Sequence, residues 1–333
     1  MPRYAVARGP HELPILSPLR QSLSPMELIR GPINLRDCHR GCVVTIGAYD
    51  GIHLGHQALL ERLREHGRRL SRRTMVVTFE PMPREFLLAP AEAPARLTTL
   101  RERWRILERQ GVDYVWLLRF SRALRCMSGD EFVQLLVRDL QASVVVVGHD
   151  FKFGRNGVAN APMLAAAGDK LGFEVDVVPP MLMDGARVSS SEIRAAISRS
   201  DLTLAARWLG RPYSMRGRVI EGAKLGRQLG YPTANLRLGR DRSPLRGIFA
   251  VRVLGIGSGP LPGVASLGTR PTVDGVVPLL EAHVFDFAGD LYGREIEVEF
   301  VEKLREEERF DSLDALVVQM DRDAAAARRI LNI

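Results

Sequence analysis

The sequence is short of cysteine, lysine, aromatic residues and long apolar runs, and each shortage excludes something. Three cysteines in 333 residues, Cys38, Cys42 and Cys126, make no disulfide framework. Cys38 and Cys42, with His39 between them, could open a zinc site, but no second cysteine pair supplies the remaining tetrahedral ligands. No apolar stretch approaches the roughly 20 residues a membrane-spanning helix needs. The N-terminus has neither the apolar region nor the small-residue cleavage site of a secretory signal. A cytoplasmic protein without a membrane partner is expected. Only Lys152, Lys170, Lys224 and Lys303 break the arginine monopoly among 47 basic residues, and the formal net charge is +8. Such a surface suits nucleic acid or a polyanionic small molecule, and charge alone does not choose. There is no Walker A sequence and no internal repeat.

What is present is the balance of an ordinary globular protein, 46% hydrophobic and 26% charged, long enough for two domains. Residues 1 to 25 read as a loose, proline-rich extension. From Cys42 a strand, Cys42 to Ile46, gives way to a helix from Gly55 with Leu59, Leu60, Leu63 and Leu70 at helical spacing. Met75 to Phe79, Tyr114 to Leu118, Ser143 to Val147 and Glu174 to Val178 are further strands. Between and after them come helices over Leu100 to Arg109 and from capping boxes at Ser128/Glu131 and Ser189/Glu192. That alternation predicts a doubly wound, Rossmann-like parallel sheet with ligands beyond its carboxyl edge, at the loops after Ile46, Phe79 and Val147. After Trp208 the runs Met215 to Ile220, Phe249 to Leu254, Val264 to Leu267, Glu281 to Phe287 and Glu295 to Val301 predict an antiparallel barrel or sandwich. A final helix spans about Ser312 to Ile330, with Leu313, Leu316, Val317, Met320 and Ala324 on one face. The expected domains are 26–210 and 211–333, joined near Gly210 to Pro212.

Two segments carry chemistry. In TIGAYDGIHLGHQALL, Thr45 to Leu60, the glycines Gly47, Gly51 and Gly55 allow tight turns and close approach of a ligand. His53 and His56 sit at the mouth of a helix, where free N–H groups and the helix dipole favour an anion. Imidazoles there can donate to phosphate oxygens without a permanent charge. Asp50, His53 and His56 could instead ligate a metal. In the other segment, GRVIEGAKLGRQLGYPTANL, the glycines Gly222, Gly226 and Gly230 mark a loop before Pro232. Thr233 and Asn235 offer hard oxygen ligands suited to Mg²⁺, with phosphates and water completing the shell. The GIGSG run, Gly255 to Gly259, joins two strands rather than opening a helix, so it is a hairpin connection and not a dinucleotide loop.

The first segment resembles the HxGH signature of nucleotidylyltransferases, in the form GxxDGxHxGH. TFEPMPREF (Thr78 to Phe86), VVGHDFKFGRNG (Val146 to Gly157) and RVSSSEIR (Arg187 to Arg194) are similar to successive motifs of the FAD synthetase module. PTAN resembles the signature of riboflavin kinase, a small Greek-key barrel. GIFAV, SLGTRPT, LEAHVFDF, DLYG and KLREEERF follow in the order of that module. The chain is thereby identified as a member of the bacterial bifunctional riboflavin kinase and FAD synthetase family over about residues 26 to 330. It departs at Ala48 and Tyr49, where many relatives carry Asn-Phe, at Met82 and at His149.

The resemblance implies phosphorylation of riboflavin to FMN by ATP, then adenylylation of FMN to FAD with release of pyrophosphate. It implies Glu281 as general base for the flavin hydroxyl, with His53 and His56 stabilising phosphate charge. ATP contacts are expected from Gly47, Asp50, Gly55, Ser190, Ser191, Arg194, Gly222, Gly230 and Thr233. Flavin contacts are expected from Asp150, Phe151 and Arg305, and Mg²⁺ ligands from Thr233 and Asn235. The partners implied are riboflavin, FMN, FAD and ATP, with no nucleic acid, on a monomer or weak homo-oligomer. HLGH also resembles the HIGH signature of class I aminoacyl-tRNA synthetases, without a KMSKS-like segment. A flavin-binding regulator with dead sites is the other alternative.

Overall fold

The computed structural model describes residues 25–222, 225–272 and 275–333. The expected loose extension lies outside the described residues except for Pro25. Six parallel strands form the first sheet: β1 (Glu27–Arg30), β2 (Val43–Ile46), β3 (Thr74–Glu80), β4 (Tyr114–Arg119), β5 (Val144–Gly148) and β6 (Glu174–Val178), in the order β1-β4-β3-β2-β5-β6. Every residue of β2, and all but the last of β5, is buried, as β-branched apolar runs in central parallel strands should be. Val43 lies opposite Val144, so the sheet's order reverses between β2 and β5. Such a switch point opens a crevice at the carboxyl ends of the two strands.

Helix α1 (Leu54–Leu70) follows β2 and buries Leu60 and Leu63 against the sheet. Helices α2 (Leu100–Arg109), α3 (Ala161–Leu171), α4 (Ser190–Ser198) and α5 (Leu202–Leu209) are the other long helices of this half, beside short ones at Pro83–Leu87, Arg122–Cys126 and Gly129–Gln134. Ser128 and Glu131 form the expected reciprocal capping box. At α4, Ser189 accepts from the Glu192 N–H, and that is the half of the second box that forms. At Cys38 to Cys42 the Cys42 thiol donates to the His39 carbonyl, and buried His39 packs edge-on to Tyr114.

Six antiparallel strands then close a barrel: β7 (Ser214–Ile220), β8 (Ala234–Arg237), β9 (Gly247–Leu254), β10 (Leu261–Thr272), β11 (Gly275–Val284) and β12 (Glu295–Arg305), ordered β7-β8-β11-β10-β9-β12 and back to β7. Barrel, not sandwich, is the outcome. Alternate residues such as Met215, Leu236, Phe249, Leu280 and Val298 fill its interior. The GIGSG segment joins β9 to β10 as a hairpin. The last helix, α6 (Leu313–Leu331), buries Ala327 and Leu331 on Ala250 and Phe285, whereas Leu313 is 56% exposed. The apolar stripe therefore reaches the barrel only in its C-terminal part.

The two halves share one apolar cluster. Leu97, Ile193, Trp208 and Leu209 run continuously into Tyr213, Met215 and the barrel interior. Within the same contact, Glu102 of α2 receives both oxygens' bonds from the Arg240 guanidinium, at 2.6 and 2.8 Å, and the Arg240 side chain is fully buried. The Glu102 carboxylate also accepts from the Arg216 N–H, and Arg105 pairs with Glu295 at 2.6 Å.

Candidate active sites

The crevice at the switch point is a cavity of about 620 Å³. Its lining comes from the three expected loops, after β2, β3 and β5, together with the start of α4 and a fourth loop, Pro179 to Met181 after β6, that was not among those expected. Gly47, Asp50, His53, Gly55 and His56 reach it from the first loop, Asp150 and Phe151 from the third, and Ser190, Ser191 and Arg194 from α4. His53 caps α1: its Nδ1 accepts from the His56 N–H at 3.3 Å. That bond leaves Nδ1 without a proton, so the neutral ring carries its proton on Nε2. The two imidazoles stack with centroids 3.8 Å apart. A Cβ on Gly55 would fall 3.1 Å from the His53 ring, so a glycine is what lets the cap fold over the helix. Burial pushes the His53 ring down to about 2, with His56, Arg187 and Arg211 acting the same way and Asp50 against them. Burial, helped by Arg211, brings His56 down to about 3. Both rings are neutral donors at physiological pH, and His56 Nδ1 is buried with no partner among the described residues.

Asp50 does different work. Its carboxylate, 3% exposed, accepts from the N–H groups of Leu97 and Thr98, the Thr98 hydroxyl and Arg194. Ser190 donates to the Asp50 carbonyl at 2.9 Å, and the Gly51 N–H donates to Thr98. Asp50, Ser190 and Arg194 thus tie the histidine loop to α4 and to the 95–98 segment. The Asp50 carboxylate is thus engaged by four donors, and no cluster of three or more His, Cys, Asp or Glu placed to hold a metal ion occurs among the described residues. Arg84 and Arg187, which the motif reading passed over, bring cationic groups to the cavity wall. Arg84 donates to Ser191 at 3.4 Å, and Arg187 pairs with Asp150. The departures find places too. Tyr49 is fully buried, bonded to Thr45 and beside the His56 ring, while Met82 and His149 line the cavity.

On the barrel, Thr233 and Asn235 flank core residue Ala234, and Asn235 lies directly across from Glu281 of β11. Ala234, Leu236, Leu280 and Ala282 point inward, so Asn235 and Glu281 share the outer face. A Cβ on Gly222 would meet the Asn235 amide at 2.5 Å, so glycine there leaves the amide its room. A cavity of about 350 Å³ opens beside Thr233, walled by Pro232, Phe287, Asp290 and Tyr292. Gly230 lies at φ +85° in the turn after the short helix Leu225–Gln228. Arg305 is placed otherwise than at this cavity: its guanidinium holds Asp323 of α6 at 2.7 Å, and both side chains are largely buried.

A model of the FAD synthetase family matches residues 35–192, and one of riboflavin kinase matches residues 209–331. The chain is 46% identical over 310 residues to the bifunctional riboflavin kinase/FMN adenylyltransferase of Escherichia coli K12, covering 92% of this chain and 99% of that one. The chain belongs to the family of bifunctional riboflavin kinase/FMN adenylyltransferases. The Pseudomonas fluorescens member is 49% identical over 307 residues, covering 92% and 98%. A solved structure titled a macrolide-efflux protein from Streptococcus pneumoniae superposes with TM-score 0.78 at 32% identity, over 92% of this chain and 99% of that one. Membership in this family makes the protein an enzyme of flavin-cofactor synthesis, which uses ATP to convert riboflavin to FMN and FMN to FAD. The tRNA-synthetase-like reading of HLGH is thereby set aside. No described helix is long and apolar enough to cross a membrane.

Proposed function

We propose that the two steps are divided along the chain, with residues 26–210 adenylylating FMN and residues 211–333 phosphorylating riboflavin. In adenylylation a phosphate oxygen of FMN attacks the α-phosphorus of ATP, and the bond to the departing pyrophosphate breaks. The nucleophile is already an anion, so no protein base is needed. The observation that carries this reading is the pair of neutral, stacked imidazoles at the amino end of α1 beyond β2 and β5. Their N–H groups add to the helix's own free donors and stabilise charge gathering on the phosphates. Arg84 and Arg187 add positive charge to the same cavity wall. Asp50, Ser190 and Arg194 act by holding the loop, and Asp150 and Phe151 face the flavin side.

In the kinase step the flavin hydroxyl loses its proton to Glu281 as it bonds to the γ-phosphorus, and ADP leaves. Thr233 and Asn235 would hold Mg²⁺: both offer hard oxygens, and Gly222 leaves the Asn235 amide room to turn. Bound there, the cation neutralises triphosphate charge. The three thiols are free, which supports a reducing, cytoplasmic setting, and we take the protein to act as a monomer or weak homo-oligomer without nucleic acid. Incubation with riboflavin, ATP and Mg²⁺ should yield FMN first and FAD after it. Removing Mg²⁺ should stop both products, and a zinc-selective chelator should stop neither. FAD formed without FMN, or activity lost only with zinc, would refute this division of labour.

A further inference from the structure

Arg211 lies in the segment matched by riboflavin kinase, yet its guanidinium serves the loop of the other half. It donates to the Gly51 carbonyl at 2.6 Å and to the carbonyls of Ile52 and Leu209 at 3.2 Å. These bonds fall on an unusual turn. Ile52, a β-branched residue, has φ +42°, and Gly51 before it has φ +81°. Left-handed backbone at a β-branched residue persists only where its surroundings overdetermine it. The next residue is His53, whose cap on α1 sets the aim of its Nε2–H.

The turn is held from both sides. Asp50 is tied to α4 and the 95–98 segment, as described above, and Thr98 takes the Gly51 N–H. Arg211 takes the two carbonyls that follow. Gln57 of α1 adds a bridge, donating to Ile52 and Leu209. We propose that Arg211, supplied by the kinase segment, is a positioning residue of the adenylyltransferase site. It clamps the Gly51–Ile52 turn so that His53 and His56 meet the triphosphate, and it sets a positive charge behind them. Burial brings its own proton affinity down only to about 10, so the charge persists at neutral pH.

The inference rests on assigning adenylylation to the His53–His56 site, and the test separates the two. In the full chain, Arg211→Ala should lower kcat/KM for ATP in FAD synthesis about 10- to 100-fold, the scale of losing charged hydrogen bonds that orient a reacting group. Riboflavin phosphorylation by the same protein should be unchanged. Added guanidinium should restore part of the lost FAD synthesis. Arg211→Lys, which keeps the charge and one donor, should fall between wild type and alanine, and it carries the test if the alanine variant does not fold. Unchanged FAD synthesis in the variants would overturn the proposal. So would a loss shared with the kinase step, or one that neither guanidinium nor lysine repairs. His56→Ala, assayed alongside, should also cut FAD synthesis. If it does not, the site assignment fails and this inference with it; if it does while the Arg211 variants are normal, only the inference fails.

Discussion

The two sites are supported in different ways. The His53–His56 loop is bonded from α4, from the 95–98 segment and from Arg211 beyond the end of α5. Asn235 and Glu281, by contrast, owe their meeting to strand register, one opposite the other on the outside of a barrel. A parallel sheet gathers the ends of many crossovers at its switch point, so side chains far apart in sequence can brace one loop. A barrel face is organised by its own ladders, and neighbours across a ladder are set by the strands themselves. Changes made far from the first site should therefore reach it, and the second should answer only to its own strands.

The largest expected effect tests the local site. Glu281→Gln keeps the side chain's size and removes its basicity, so riboflavin phosphorylation should fall by about 10² to 10⁴. Conversion of supplied FMN to FAD should continue at the wild-type rate. His56→Ala should give the opposite pattern, with FAD synthesis down by about 10² or more and riboflavin accumulating as FMN. Chromatography of the flavins reads both variants. Loss of both steps in either folded variant would break the contrast between the sites.

The joint between the halves comes next. Arg240→Ala leaves the Glu102 carboxylate, 10% exposed, without its guanidinium. Breaking a buried pair in this way costs about 3 to 5 kcal/mol, far more than losing an exposed one. Denaturant unfolding should show that loss. Glu102 also holds the Arg216 N–H, and its helix follows directly on the 97–98 strap that grips Asp50. FAD synthesis should suffer before riboflavin phosphorylation does. A variant with wild-type stability would mean that the Arg240–Glu102 pair adds nothing to the joint.

Local pattern and long-range wiring differ in how much of themselves they write into sequence. The parallel sheet, the barrel and both signature loops were legible because alternation, helical spacing and glycine-bounded runs are local. The Leu100–Arg109 helix and the Glu174–Val178 strand fall at the expected residues. Strands β1 and β8, reading ELIR and ANLR, lack the continuous apolar run that marks the equally short β2. Asp50 carried a ligand's expectation because motif spacing cannot show that its carboxylate is consumed by Leu97, Thr98 and Arg194. Arg305 was expected at flavin, and only the docking of α6 reveals Asp323 beside it. Arg211 and the Glu102–Arg240 pair left no signal at all, since one arginine among many is unremarkable until the fold supplies its partners.

The smallest effect is a pH dependence confined to the first site. In the unfolded chain His53 and His56 take up protons near the ordinary imidazole value of about 6.5. Folded, burial holds them neutral down to about 2 and about 3. Below about pH 6.5 the unfolded state therefore binds more protons than the native state, and stability declines as pH falls. The decline should be about 1.4 kcal/mol per pH unit for each histidine, and it should vanish above the unfolded value. His56→Gln keeps an amide donor at the site but removes one titrating ring. Urea unfolding between about pH 7 and about pH 5 should then show a shallower slope in the variant, by close to one proton. An unaltered slope would mean that His56 already takes up its proton in the native protein. The triphosphate would then meet an imidazolium rather than a neutral donor, and the buried, cross-braced site would differ less from the barrel face than the geometry indicates.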